Sequence, residues 1–482
     1  MSVLGAIMVP HPPLIIPEVG RGQESLIAGT VNAYCKAAGI VGELGPDTIV
    51  VFSPHAVMYA DYFHVSPGRS ARGDFGMFQA PQVVVEAEYD YEMVNEIARL
   101  SDEMDFPMGI EGEKSRNIDH GTMIPLYFIR QQIRDFRVVR IGGSGLSFAD
   151  HYRAGQIVAQ AAGNLGRRIF LVGSGDLSHK LKADGPYGFC RQGPEYDRRI
   201  MDVMGEGRFG ELLEFSESFC EQAAECGHRC FTMMAGALDG QKVEPHRLSY
   251  EGPFGVGYGV CTYQAGGEDP ERLFLKLYEE KERDACKKRQ DGEDAYVALA
   301  RRSLEYYVRY GKMVPADTAM DNLAVGTDSG EHGPDQGDKA LQTIKAGVFV
   351  SIHKNGALRG CIGTISPVCE TVAEEIVQNA VSAGTRDPRF PAVKESELPY
   401  LVYSVDVLGK AEPVKDIGEL DARRYGVIVT KGRKRGLLLP DLDGVDTVEE
   451  QLRIARQKAG IREDDADVSV ERFEVIRHGE KS

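Results

Sequence analysis

Three histidines stand where short apolar runs end. VLGAIMV (Val3–Val9) runs into Pro10-His11, DTIVVFS (Asp47–Ser53) into Pro54-His55, and RRIFLV (Arg167–Val172) into the Gly-rich loop GSGDLSH that ends at His179. His120, in DHGT ahead of the apolar PLYFI, is a fourth. One such His is an ordinary turn residue, but several in the same local position form a pattern. In open α/β sheets ligands gather at the carboxyl ends of strands. Neutral imidazole is a ligand for iron, zinc and copper, and two His with one carboxylate leave open positions suited to Fe(II) oxygen chemistry. A further His beside the metal can act as a base near neutral pH. The remaining ligand has to come from elsewhere, and AAECGHR (Ala223–Arg229) offers Glu225 as an oxygen ligand and Cys226 as a thiolate.

Each residue taken alone also has a structural explanation. His11 and His55 could close their strands, and Asp176 and Ser178 could satisfy the backbone donors of a turn. Glu225 could be a first-turn helix carboxylate and Cys226 a small buried apolar group. Together these explanations require several coincidences at strand ends. His228 and His246 are assigned to core or surface. Cys226 and Cys230, spaced CxxxC around His228, lack the second cluster that would close a zinc site.

The elements that must position these residues alternate in the first half of the chain. Strand-like runs, including FRVVRIGG (Phe136–Gly143), are separated by helical stretches such as Tyr91–Met104 and His151–Gly166. This rhythm predicts a layered α/β domain over residues 1–268, closing with the strand-like Gly255–Ala265. A charged linker, 269–292, follows. Residues 293–482 mix amphipathic helices (DAYVALARRSLEYYVRYG and EEQLRIARQKAG) with strands (AGVFVSIHKNGALRGCIG turning over Lys354-Asn355-Gly356, and YLVYSVDVLG). This half is expected to be α+β. The Gly- and Asp-rich stretch 316–340 reads as a mobile loop.

With 482 residues the chain is too long for one ordinary core. A net charge of −17 argues against broad binding to nucleic acid or an anionic membrane, although KGRKR (Lys431–Arg435) is a local basic patch. No apolar run is long enough to span a bilayer, and the start does not read as a signal peptide. Nine scattered cysteines are read as reduced thiols in a cytoplasmic protein.

Two further segments could carry chemistry. LRGCIGT holds Arg359, Gly360, Cys361 and Gly363; its thiol is either inert or reactive beside Arg359. SAGTRDPRFP holds Arg386, Asp387 and Arg389 in a rigid polar loop, which either binds an anion or locks itself through an internal Arg–Asp pair.

The ordered motifs HPP, SPHA, DHGTMIPL, GSGDLSH and the ECG-helix segment resemble LigB-like class III extradiol ring-cleavage dioxygenases over about residues 1–265, and also the Memo family of the same fold. The resemblance implies that His11 and His55 are metal ligands, that His179 is the base, and that His120 lines the pocket; Asp176 is a catalytic candidate beside His179 and His120. The third ligand is a glutamate in the dioxygenases and a cysteine in Memo-like proteins, so Glu225 and Cys226 both stand. Fe(II) is the expected ion, with zinc or copper as alternatives, and the expected substrate is a small aromatic diol.

LRGCIG, DPRFP and LLLP resemble the Ammecr domain over about residues 293–480. The fusion looks like the AmmeMemoRadiSam system, whose radical SAM component would be a separate partner, because this chain has no CxxxCxxC motif. The resemblance leaves two readings: a metal-dependent oxidoreductase, or a non-catalytic metal- or ligand-binding accessory protein that works with the radical SAM partner in modification of a nucleotide, RNA or protein.

Overall fold

A computed structural model describes residues 2–114, 117–316, 341–354, 356–442, 444–465 and 467–479. The chain divides into two compact units, Met1–Glu279 and Glu280–Ser482. The division falls within the helix Phe274–Asp291, so most of the charged connector is helical.

The first unit is α/β and is built on a six-stranded sheet. In spatial order its strands are Arg137–Gly142, Thr48–Ser53, Ile169–Ser174, Val3–Val9, Tyr258–Glu268 and Gln241–Glu251. The first four are parallel and the last two join antiparallel. Because side chains alternate along a strand, Ala6, Met8, Val50, Phe52 and Leu171 enter one core, and Ile7, Val9, Ile49, Val51, Phe170 and Val172 enter the other. Helices Tyr91–Glu103, Phe148–Leu165 and His228–Gly236 cover the first face, and Ala28–Leu44 and His120–Ile129 cover the second. Burial on both faces explains why these strands read as unbroken apolar runs. The strand Gln241–Glu251 lacks such a run and contains Pro245; it lies at the sheet edge, where proline is tolerated.

The parallel register sets Val9 opposite Ser174 and Phe52 opposite Gly173. Three strands therefore end side by side, and the residues that follow each share one edge of the sheet.

The second unit is α+β. One antiparallel sheet runs Ala357–Gly363, Val348–Lys354, Leu401–Leu408, Val475–His478. Val348, Val350 and Ile352 pack on its core side with the helices Ala295–Tyr310 and Val372–Thr385. A second sheet, Glu412–Pro413, Ser469–Phe473, Gly426–Lys431, Lys434–Leu438, packs with the helix Val448–Ala459. The KGRKR patch is the turn of the hairpin joining the last two of these strands. The stretch 316–340, read as a mobile loop, lies outside the described residues except for Ala316. Among the described residues no helix is long and apolar enough to cross a membrane.

Candidate metal centre

His11, His55 and Cys226 meet at the carboxyl edge of the parallel strands, with one ligand atom from each lying within 4.8 Å of the others. His11 Nε2 is 3.1 Å from His55 Nε2 and 3.6 Å from Cys226 Sγ. Tetrahedral bonds of zinc-like length would place two nitrogens about 3.3 Å apart, and a nitrogen and a sulfur about 3.6 Å apart. The donor set therefore has the spacing to hold one transition-metal ion.

The hydrogen bonds behind His11 aim it. The Ser174 hydroxyl donates to the Gly121 carbonyl at 2.6 Å, so its oxygen accepts from His11 Nδ1 at 3.0 Å. With the proton on Nδ1, the lone pair sits on Nε2 and points toward His55 and Cys226. The His11 backbone N–H donates to the Asp176 carboxylate at 2.8 Å. The Asp176 N–H in turn lies 3.3 Å from Cys226 Sγ, a donor that favours thiolate charge. Asp176 thus holds the segments carrying His11 and Cys226 through its backbone and side chain.

Glu225 and Cys226 are adjacent but diverge. Ala224, which caps the helix Glu217–Ala223, is left-handed (φ 52°), and Gly227 precedes the helix His228–Gly236. Glu225 turns to that helix and accepts the His228 N–H at 2.6 Å. The structure brings Cys226, not the Glu225 carboxylate, to the two histidines. His228 is fully buried, with its ring against Phe148 and Phe215.

His120 and His179 stand beside the centre. The His120 ring stacks on His55, with centroids 4.2 Å apart. Burial, with His55 adding to it, lowers its pKa to about 4. Burial and then the His55 charge lower that of His179. His11 is held well below its usual value by burial and by the charges of His55, His120 and His179. All are neutral imidazoles at pH 7, with lone pairs available. Burial raises Asp176 to about 7, opposed by its bond from His11. The loop carrying His179 is pinned by Asp197, which accepts the Ser178 N–H and the Tyr250 hydroxyl, each at 2.8 Å. Neither Ser174 nor Asp197 is marked by type or spacing in the sequence; Ser174 lies inside the GSGDLSH run, and Asp197 reaches that run from the helix Gln192–Glu206.

In the second unit the candidate residues separate. Arg359 pairs with Glu397 at 2.9 Å. Gly360 passes against the Ala383 carbonyl and Gly363 against the Phe349 ring, where no Cβ would fit. Arg386 lines a different depression with Gln378 and Ser382. Asp387, buried, accepts the Cys361 N–H at 2.9 Å and both guanidinium edge nitrogens of Arg389, Nε at 3.0 Å and Nη2 at 2.7 Å. The loop is thus locked by its own Arg–Asp pair.

An open α/β sheet with this cluster at its strand ends, joined to an α+β unit, defines the class, and comparison places the chain in it. The chain belongs to the LigB family: the profile of the catalytic LigB subunit of aromatic ring-opening dioxygenase matches residues 5–261, and the AMMECR1 profile matches residues 297–478. A protein of Clostridium acetobutylicum is 39% identical, covering 100% of both chains. A Thermotoga maritima protein is 51% identical over 188 residues, covering 39% of this chain and 98% of its own. Among solved structures, an uncharacterized protein of Pyrococcus horikoshii is 30% identical and covers 39% of this chain and 91% of that one, with a TM-score of 0.33.

Proposed function

We propose that the N-terminal unit is a one-metal oxidoreductase centre acting on a small aromatic diol, with His11, His55 and Cys226 as ligands and His179 as base. The observation that carries this reading is the convergence of the three ligand atoms within 4.8 Å. A bound redox-active ion would supply Lewis-acid activation of the diol oxygens and an electron route to O2. Neutral His179 accepts a proton from the substrate hydroxyl at a ring nitrogen. His120 offers a neutral ring nitrogen to the second substrate oxygen. Rings flank both: Phe78 lies 5.5 Å from His120, and Tyr187 lies 5.0 Å from His179. These apolar faces suit an aromatic substrate.

Iron is the ion the ring-cleavage resemblance supplies. A thiol in place of a carboxylate makes the site softer and favours copper or zinc. Zinc carries no redox chemistry, so Cys226 also supports a second reading: a ligand-binding accessory protein that serves a separate radical SAM partner.

The test is metal analysis of anaerobically purified chain, with O2 uptake measured over a catechol panel. About one iron or copper per chain, with uptake that His179→Ala abolishes, supports the first reading. Stoichiometric zinc without uptake moves the conclusion to the second. No bound metal after reconstitution with all three ions overturns the first reading and turns the search to binding partners.

A further inference from the structure

The C-terminal unit contains a cleft that the metal centre does not explain. The strand Val348–Lys354 sends Val348, Val350 and Ile352 into its core, so Phe349, Ser351 and His353 face the other way. Such a face on an antiparallel sheet is commonly left to water. Here the strand Lys434–Leu438 and the helix Val448–Ala459 stand opposite it, enclosing about 960 Å³, a volume within the range of small-molecule sites.

The walls differ in character. Leu437, Leu439, Leu442 and Ile454 supply an apolar side. The charged lining is four basic residues (Arg389, Arg435, Lys458, Arg477) against two acidic ones (Asp406, Asp441). Asp406 is taken by Arg477, with 2.7 Å between Oδ1 and Nε. Arg435 is 3.6 Å from Glu471. Lys458 makes no hydrogen bond or ion pair among the described residues. Burial lowers its pKa, the Cys361 thiol acts against that, and Arg389 adds to it, so the ammonium lies within electrostatic reach of both. Arg389 is fixed by its two bonds to buried Asp387, which leave its Nη1 edge without a protein acceptor among the described residues. Cys361 also lines the cleft, with Ser351 Oγ 3.3 Å from its sulfur. A cleft lined by more cations than carboxylates, in a chain of net charge −17, is a local arrangement and does not follow from composition.

We infer that this cleft binds a small organic anion, its carboxylate, sulfonate or phosphate held between Lys458 and Arg389 beside Cys361 and its apolar body lying against Leu437, Leu439 and Ile454. The preformed Asp387–Arg389 pair holds one cation in place before the ligand arrives, which reduces the cost of ordering it. Lys458 supplies the second, partly desolvated charge. Neither an uncharged apolar molecule nor a bare inorganic ion satisfies both walls.

The test uses the full chain and the fluorescent probe 8-anilinonaphthalene-1-sulfonate, compared with N-phenyl-1-naphthylamine, which has the same rings without the charge. The sulfonate is expected to bind saturably, at least tenfold tighter than the neutral amine, and more weakly as NaCl is raised. Lys458→Met is expected to weaken the sulfonate at least tenfold. Arg435→Met, on the strand Lys434–Leu438 of the same cleft, should weaken it in the same direction, and Lys345→Met, outside the cleft, should leave it unchanged. Melting temperatures confirm that each variant is folded; if Lys458→Met is not, Arg435→Met decides. Equal binding of the two probes, or sulfonate binding indifferent to both cleft variants, overturns the inference. Inorganic phosphate displacing the sulfonate at low millimolar concentration would also overturn it, by showing that charge alone suffices.

Discussion

Ser174 and His11 are joined so that only one tautomer of the imidazole fits. The Ser174 hydroxyl is committed to the Gly121 carbonyl, and its oxygen accepts from His11 Nδ1 at 3.0 Å. Ser174→Ala removes that acceptor without touching a ligand. The expected result is about 10- to 100-fold weaker metal binding, the usual cost of losing such a supporting bond. Competition against a chelator measures it.

Cys226 and Glu225 should separate in one experiment. Cys226→Ala is expected to lose stoichiometric metal. Glu225→Ala should keep it and lose about 0.5–2 kcal/mol of stability, because its carboxylate accepts the first-turn N–H of His228. Metal content and urea denaturation, run on both variants, give the answer; metal lost from Glu225→Ala alone would reverse the assignment.

His179 lies beside the centre and outside its ligand set. His179→Ala is expected to retain the metal and lose about 10²–10⁴-fold in turnover, the range for a positioned base. Full turnover in this variant would leave it a turn residue.

Glu397 gives the second unit a pH dependence. Burial alone would raise its pKa, but bonds from Arg359, the Lys394 N–H and Lys354 pull it down to about 2 from 4.5. An acid with a depressed pKa stabilises the fold above its unfolded value, and that contribution is lost as pH falls. The stability difference between the natural chain and Glu397→Gln should be full above about pH 4.5 and shrink toward pH 2. Urea unfolding across that range reads it.

His11, His55 and His179 were legible because each comes after an apolar run, and parallel strands buried on both faces must end together. Glu225 and Cys226 were not separable, because adjacent residues diverge and only the backbone at Ala224 and Gly227 decides which turns inward. Ser174 and Asp197 act through partners distant in sequence, Gly121 and Tyr250, and no local pattern marks such pairs. The Asp387–Arg389 lock spans two positions and was within reach of sequence reading. The cleft beside it was not, since Lys458 arrives there on a helix of the second sheet layer.

Gly175 and Gly227 meet backbone to backbone: a Cβ on Gly175 would fall 2.1 Å from the Gly227 Cα. The loop leading to His179 and the loop carrying Cys226 therefore touch with no side chain between them. Their separation is set by van der Waals contact of the two backbones and not by the rotamer of a side chain between them. Either glycine exchanged for a larger residue would push the two loops apart, and with them the segments that present Cys226 and His179.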